Sequence, residues 1–144
     1  MNLYAESSAV LTWLLNEPAA SRVASELASA DLVLTSELTP LECDRALVRL
    51  AVVDPAEADH VPRLQARLNQ VLAHWVRLAL DDFVLERARV SFPVEPIRTL
   101  DALHLAAAVK IRSSVPDLLM LSLDRRIREN ASRLGFDLLP EDPG

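Results

Sequence analysis

The stretch NLYAESSAVLTWLLNEP, residues 2–18, changes its periodicity in the middle. Asn2 to Ala5 is a short apolar run that reads as a buried strand. From Ser7 the apolar residues recur at helical spacing until Pro18. An acid, Glu6, stands at the joint. A strand that feeds directly into a helix is the building unit of a parallel sheet. The open question is why an ionisable side chain should end a strand expected to be buried.

The same alternation runs outward through the chain. AASRVASELASA (19–30) reads as an amphipathic helix with Val23 and Leu27 inward, and DLVLTS (31–36) as a second strand. TPLECDRALVRLAVV (39–53) is a helix with Thr39 as its N-cap and Pro40 at its first position. Asp54-Pro55 repeats that start signal for residues 56–75, where Pro62 is expected to kink or divide the helix. WVRLAL (75–80) is a third strand, DDFVLERARV (81–90) a helix and SFPVEPI (91–97) a proline-bearing connector. Thr99 is expected to cap LDALHLAAAVKIR, DLLMLSL (117–123) is a fourth strand, and DRRIRENASRLG is a helix ended by Gly135. FDLLP (136–140) reads as a last edge strand. Short apolar strands alternating with helices predict an α/β fold: a three-layer α/β/α sandwich with a mostly parallel sheet of four to five strands. No repeat or linker divides it, so residues 1–144 are expected to form a single domain.

Composition narrows the function classes. Half of the 144 residues are hydrophobic (51%), as a packed core requires. No apolar run approaches the roughly 20 residues of a membrane span, and the N-terminus has no signal-peptide pattern. A cytoplasmic protein without membrane attachment is expected. The single cysteine, Cys43, excludes an internal disulfide and a cysteine-built zinc site, and it reads as a small core residue. The net charge of -6 argues against nucleic-acid binding through a broadly basic surface. It leaves open an enzyme that meets nucleic acid through metal ions and a few local arginines.

Four acids fall where ligands gather in such sheets, outside the carboxyl ends of the strands. They are Glu6, Glu42, Asp101 and Asp124. Each has a local structural explanation. Glu42 completes a capping box with Thr39, and Asp101 suits the positive end of its helix. Asp124 N-caps the last helix, and Glu6 precedes a helix capped by Ser7 or Ser8. Taken together they suggest something else, because carboxylates within a few ångströms raise one another's pKa unless a cation intervenes. Oxygen ligands without cysteine point to Mg²⁺ or Mn²⁺. Among neighbouring residues, Arg45, Arg49, Arg125, Arg126 and Arg128 read either as phosphate contacts or as an ordinary solvated face. His104, three residues after Asp101, reads as a partly buried structural histidine.

YAESSAVLTWLLNEP, TSELTPLECDRAL, RTLDALHLAAA and MLSLDRRIRENASRLGF resemble, in that order, the successive motifs of PIN-domain proteins. Within that family they are similar to the VapC-type toxins of bacterial toxin–antitoxin pairs. Residues 52–69 match no motif. The resemblance implies an α/β/α fold and a ribonuclease dependent on Mg²⁺ or Mn²⁺, leaving 5′-phosphate and 3′-hydroxyl products. It implies an RNA substrate, a homodimer, and a small antitoxin partner whose arginine enters the site. The family's metal-binding acids fall on Glu42, Asp101 and Asp124, and Ser8 would orient a carboxylate. Arg45, Arg125 and Arg126 would hold substrate.

The pattern breaks at Glu6, where the family usually has aspartate. The additional methylene moves the carboxylate by roughly 1 to 1.5 Å on a fixed backbone. Errors of that size can cost on the order of 100-fold in rate. Glu6 therefore ligates a metal directly, ligates it through water, or leaves a weak site. The alternative reading is a catalytically weak PIN-like protein that binds RNA or a protein partner without efficient cleavage. The additional acid that some family members carry after the last aspartate is also missing, since Arg125 and Arg126 follow Asp124.

Overall fold

A computed structural model describes all residues from Met1 to Gly144. It contains five strands: β1 (Asn2–Ala5), β2 (Leu32–Ser36), β3 (Val76–Leu78), β4 (Leu118–Leu121) and β5 (Leu138–Leu139). The helices are α1 (Ser7–Leu14), α2 (Ala20–Ser29), α3 (Leu38–Val53), α4 (Val61–Leu72), α5 (Asp82–Ala88), α6 (Thr99–Arg112) and α7 (Arg125–Arg133). A 3₁₀ turn over Pro55–His60 precedes α4. The strands form one sheet in the order β3-β2-β1-β4-β5, every pair parallel. The expected three-layer sandwich is present, with all five strands parallel.

The period of two along each strand separates the two faces. Tyr4 lies in register with Leu34 and Met120, and all three face a core built with Leu105, Ala108 and Ile111 of α6, Val84 of α5 and Ile127 of α7. Leu3, Ala5 and Val33 face the opposite side. There they pack against Ala9, Val10 and Leu14 of α1, Val23 of α2, Cys43 and Leu47 of α3, and three leucines of α4. Val23 is fully buried and Leu27 packs beside it, as the sequence indicated. No helix is long and apolar enough to cross a membrane.

Several helix starts differ from the sequence reading. Helix α3 begins at Leu38 with Glu37 as the capping residue, so the Thr39–Glu42 capping box does not form. Thr39 turns inward instead, where its hydroxyl meets Thr35 and the Ala5 carbonyl. A buried hydroxyl must find a partner, and the end of β1 supplies one. Pro62 lies in the first turn of α4, where its missing N–H costs nothing, so it divides the expected helix into the 3₁₀ turn and α4 and does not kink it. The residue that precedes α6 is Arg98, with Thr99 already helical. Gly135 closes α7 at φ +90°, a backbone conformation that disfavours a side chain.

Leu105 is fully buried at the centre of α6. Leu105→Ala is expected to lower unfolding stability by about 2–5 kcal/mol. Urea denaturation followed by circular dichroism measures it.

Candidate active site

Parallel pairing brings the carboxyl ends of β1, β2 and β4 to one edge, and the amino ends of α1, α3, α6 and α7 to the same edge. The four acids lie along it. Glu6 follows β1 directly and is almost wholly buried, at 4% exposure. Its Oε2 accepts hydrogen bonds from the Ser8 hydroxyl and from the Ser122 hydroxyl, the latter at 2.8 Å. Burial pushes its pKa above the usual carboxylate value, with the nearby His104 and the two serine hydroxyls opposing the rise. No buried polar side-chain atom in the protein lacks a partner.

Ser8 does more than touch Glu6. Its oxygen also accepts from the backbone N–H groups of Leu123 (2.9 Å) and Asp124 (3.1 Å). It therefore ties the β1–α1 junction to the β4–α7 junction. Neither Ser7 nor Ser8 caps α1: Glu6 is the capping residue and no side chain closes that end. The Ser7 hydroxyl donates to Glu42 Oε1 at 2.8 Å.

Glu42 reaches the edge from the first turns of α3. His104 Nε2 lies 2.5 Å from the same Oε1 and 3.9 Å from Glu6 Oε1. The other ring nitrogen, Nδ1, meets the Tyr4 hydroxyl at 2.9 Å, and Tyr4 in turn donates to Ser36 at 3.1 Å. Burial works to raise the Glu42 pKa. The His104 hydrogen bond and charge, Ser7 and Arg98 outweigh it and hold the carboxyl below its usual range. His104 is thus structural, as expected, but it is wholly buried rather than partly so, and it joins two of the four acids.

Asp101 and Asp124 retain their helix-end roles. Asp101 Oδ2 accepts from the Arg98 backbone N–H at 3.2 Å, and Asp124 Oδ1 accepts from Ile127 at 3.0 Å. Their other neighbour is the Arg98 guanidinium, with Nε 3.5 Å from Asp101 and a terminal nitrogen 3.7 Å from Asp124. Arg98 and Ser122 are the site residues that sequence reasoning missed. The position of Arg98, three residues before Asp101, was the available signal for it. Nothing in the sequence pointed to Ser122.

The expected substrate arginines are placed unevenly. Arg125 and Arg126 are exposed and line a small cavity together with Asp124. Arg125 also pairs with Glu129 at 3.5 Å. Arg45 is exposed on α3, one turn beyond Glu42, and contacts none of the acids. Arg128 is committed to the fold, donating to the carbonyls of Ser122 and Leu139. Cys43 is core, its thiol pushed up to about 12 by burial first and by nearby acids second.

Four carboxylates without a thiolate form a donor set suited to a hard divalent cation. They stop short of a cage, because no three acid, histidine or cysteine side chains close around one point. Each is engaged by protein instead: Glu6 by two serines, Glu42 by His104 and Ser7, Asp101 and Asp124 by backbone N–H groups and Arg98.

The PIN-domain family model matches residues 3–132, so the chain belongs to the PIN-domain family. Within it, the relatives are VapC-type. The chain is 31% identical to Ribonuclease VapC46 of Mycobacterium tuberculosis over 95% of both chains. It is 29% identical to Ribonuclease VapC35 of the same species over 93% of both. In fold it resembles a chain in the crystal structure of VapBC2 from Rickettsia felis bound to a DNA fragment from their promoter. That match has a TM-score of 0.60 and 10% identity, covering 96% of this chain and 97% of that one.

The Glu6 environment predicts a pH effect. Between the ordinary carboxylate pKa and its higher folded value, the folded chain holds a proton that the unfolded chain has released. Stability attributable to Glu6 therefore falls as pH rises through that window. Glu6→Gln, which keeps an acceptor for Ser8 and Ser122, should match the wild type at acidic pH and become the more stable of the two as pH rises. Denaturant unfolding in chelator across pH 4 to 8 tests this; a gap that does not grow with pH refutes it.

Proposed function

We propose that the protein is an endoribonuclease, the toxin component of a toxin–antitoxin pair, which hydrolyses RNA phosphodiester bonds with Mg²⁺ or Mn²⁺. The observation that carries this reading is the linkage of all four acids at one sheet edge of a PIN-domain chain. His104 joins Glu6 to Glu42, Ser8 joins Glu6 to the Asp124 backbone, and Arg98 joins Asp101 to Asp124. The VapC relatives are named ribonucleases, which supports the same chemistry.

In this reading Asp101, Asp124, Glu42 and Glu6, which line the same edge without closing around one point, would hold the cation. The bound ion would supply positive charge that acidifies a water and offsets the charge developing on the phosphate. Ser8 and Ser122 fix the Glu6 carboxylate, and His104 with Ser7 fixes Glu42, so these two acids keep their positions when substrate arrives. Arg125 and Arg126, beside Asp124, bind RNA phosphates. Arg45, further along α3, would engage a more distant part of the strand.

The single domain of residues 1–144 would act in the cytoplasm, as a homodimer restrained by a small antitoxin. An uncovered stripe on α3 supports protein partners: Leu41, Val48 and Val52 share one helix face and are each at least half exposed. The second reading, a weak nuclease that mainly binds, draws on the buried Glu6, whose carboxylate is already taken by two hydroxyls.

Cleavage of a structured RNA by the purified chain in Mn²⁺ tests the proposal. Asp101→Asn should cut at least about 100-fold more slowly. Equal cutting by that variant, or none by the wild type, overturns the nuclease reading. Glu6→Asp separates the two readings. Its shorter arm draws the carboxylate away from Ser122, so melting temperature should fall. A large gain in cleavage would mark Glu6 as an attenuating residue, and a loss would mark it as fitted to this site.

A further inference from the structure

Arg98 combines a fixed backbone with a free side chain. The connector that delivers it is pinned on both sides. Glu95 accepts from the backbone N–H groups of Phe92 and Ile97, both at 2.9 Å. The fully buried Asn130 of α7 pairs with both backbone groups of Val94, at 2.8 and 3.0 Å. The Arg98 N–H then closes on Asp101 at 3.2 Å. Beyond Cβ the picture reverses. The side chain is 68% exposed, and its contacts to Asp101 and Asp124, at 3.5 and 3.7 Å, are longer than strong charge-assisted hydrogen bonds. Its charge also reaches Glu42.

We infer that Arg98 is a built-in counter-cation, its guanidinium bridging Asp101 and Asp124, the carboxylates a divalent ion would need, so that this bridge and metal binding exclude each other. The inference rests on the metal-site reading above. Both cations require the same carboxylates: Arg98 Nε faces Asp101 Oδ2 and its terminal nitrogen faces Asp124 Oδ2. A divalent ion held by those oxygens would repel the guanidinium at close range. Because the guanidinium is exposed and loosely held, it can swing into solvent without disturbing the pinned connector. The apparent metal affinity is then the intrinsic one reduced by the fraction of molecules in which the bridge is open. Without metal, the bridge relieves repulsion between the acids.

Mn²⁺ titration by calorimetry on the purified chain tests this without reading activity. Two exposed ion pairs of ordinary strength correspond to a binding change of about three- to tenfold. Arg98→Ala should bind Mn²⁺ tighter than the wild type by that factor. Arg98→Lys, whose point charge cannot span both carboxylates, should fall between them. Arg89→Ala controls for net charge, since Arg89 lines the same surface cavity as Arg98 and pairs with none of the acids. It should match the wild type. Arg98→Ala binding no tighter than wild type, or Arg89→Ala tightening binding equally, overturns the bridge. Asp101→Asn separates the two levels of argument. If wild type, Arg98→Ala and Asp101→Asn all lack saturable Mn²⁺ binding, the metal site itself fails and the bridge fails with it. If the wild type binds and Asp101→Asn does not, the site stands and the Arg98 comparison decides.

Discussion

A carboxylate buried at the end of the central strand is the constraint around which this site is organised. Glu6 is removed from water, and a charged or polar group there is costly unless hydrogen bonds replace its hydration. The replacements come from Ser8, two residues on, and from Ser122, beyond the neighbouring strand β4. Satisfying one side chain therefore requires β1 and β4 to lie side by side in register, with both following turns in place. Ser8 reinforces this through the Leu123 and Asp124 backbone. The longer arm of glutamate has a local reason here: it spans from the end of β1 to both hydroxyls.

The remaining negative charge at the edge is balanced by the protein's own cationic or donor groups, in two different ways. His104 is buried and held on both ring nitrogens, with Tyr4 on one side and Glu42 and Ser7 on the other. Moving it would break a connected network in low dielectric, so it serves as fixed scaffolding. Arg98 is exposed and loosely paired, so its partners can exchange at small cost. Glu6 and Glu42 thus lie on the rigid half of the site, and Asp101 and Asp124 on the half that can be opened.

Much of the fold was legible because it depends on local periodicity. Each expected strand appears, and even the brief β5 follows from the apolar pair Leu138 and Leu139. Caps were read less well. Thr39-Pro40 and Thr99 carry strong start signals, yet α3 begins two residues earlier than they indicate, at Leu38, and α6 one residue earlier, at Thr99. Thr39 shows why: its hydroxyl is drawn to Thr35 and to the end of β1, partners that are distant or hidden in the local pattern. Pro62 divides the expected helix, one of its two expected effects, because the 3₁₀ turn before it ends at His60 and leaves it a first-turn residue of α4.

The sequence by itself determined the α/β alternation, the family and the four acids at helix starts, because periodicity, end-of-strand chemistry and motif order are properties of neighbouring residues. Only the tertiary structure decided what each acid touches. Ser122 reaches Glu6 across 116 positions and His104 reaches Glu42 across 62. Arg98 reaches Asp124 only because Asn130 and Glu95 fix the connector that carries it. Contacts between residues so far apart in the chain depend on strand order and loop placement, which the local pattern does not specify.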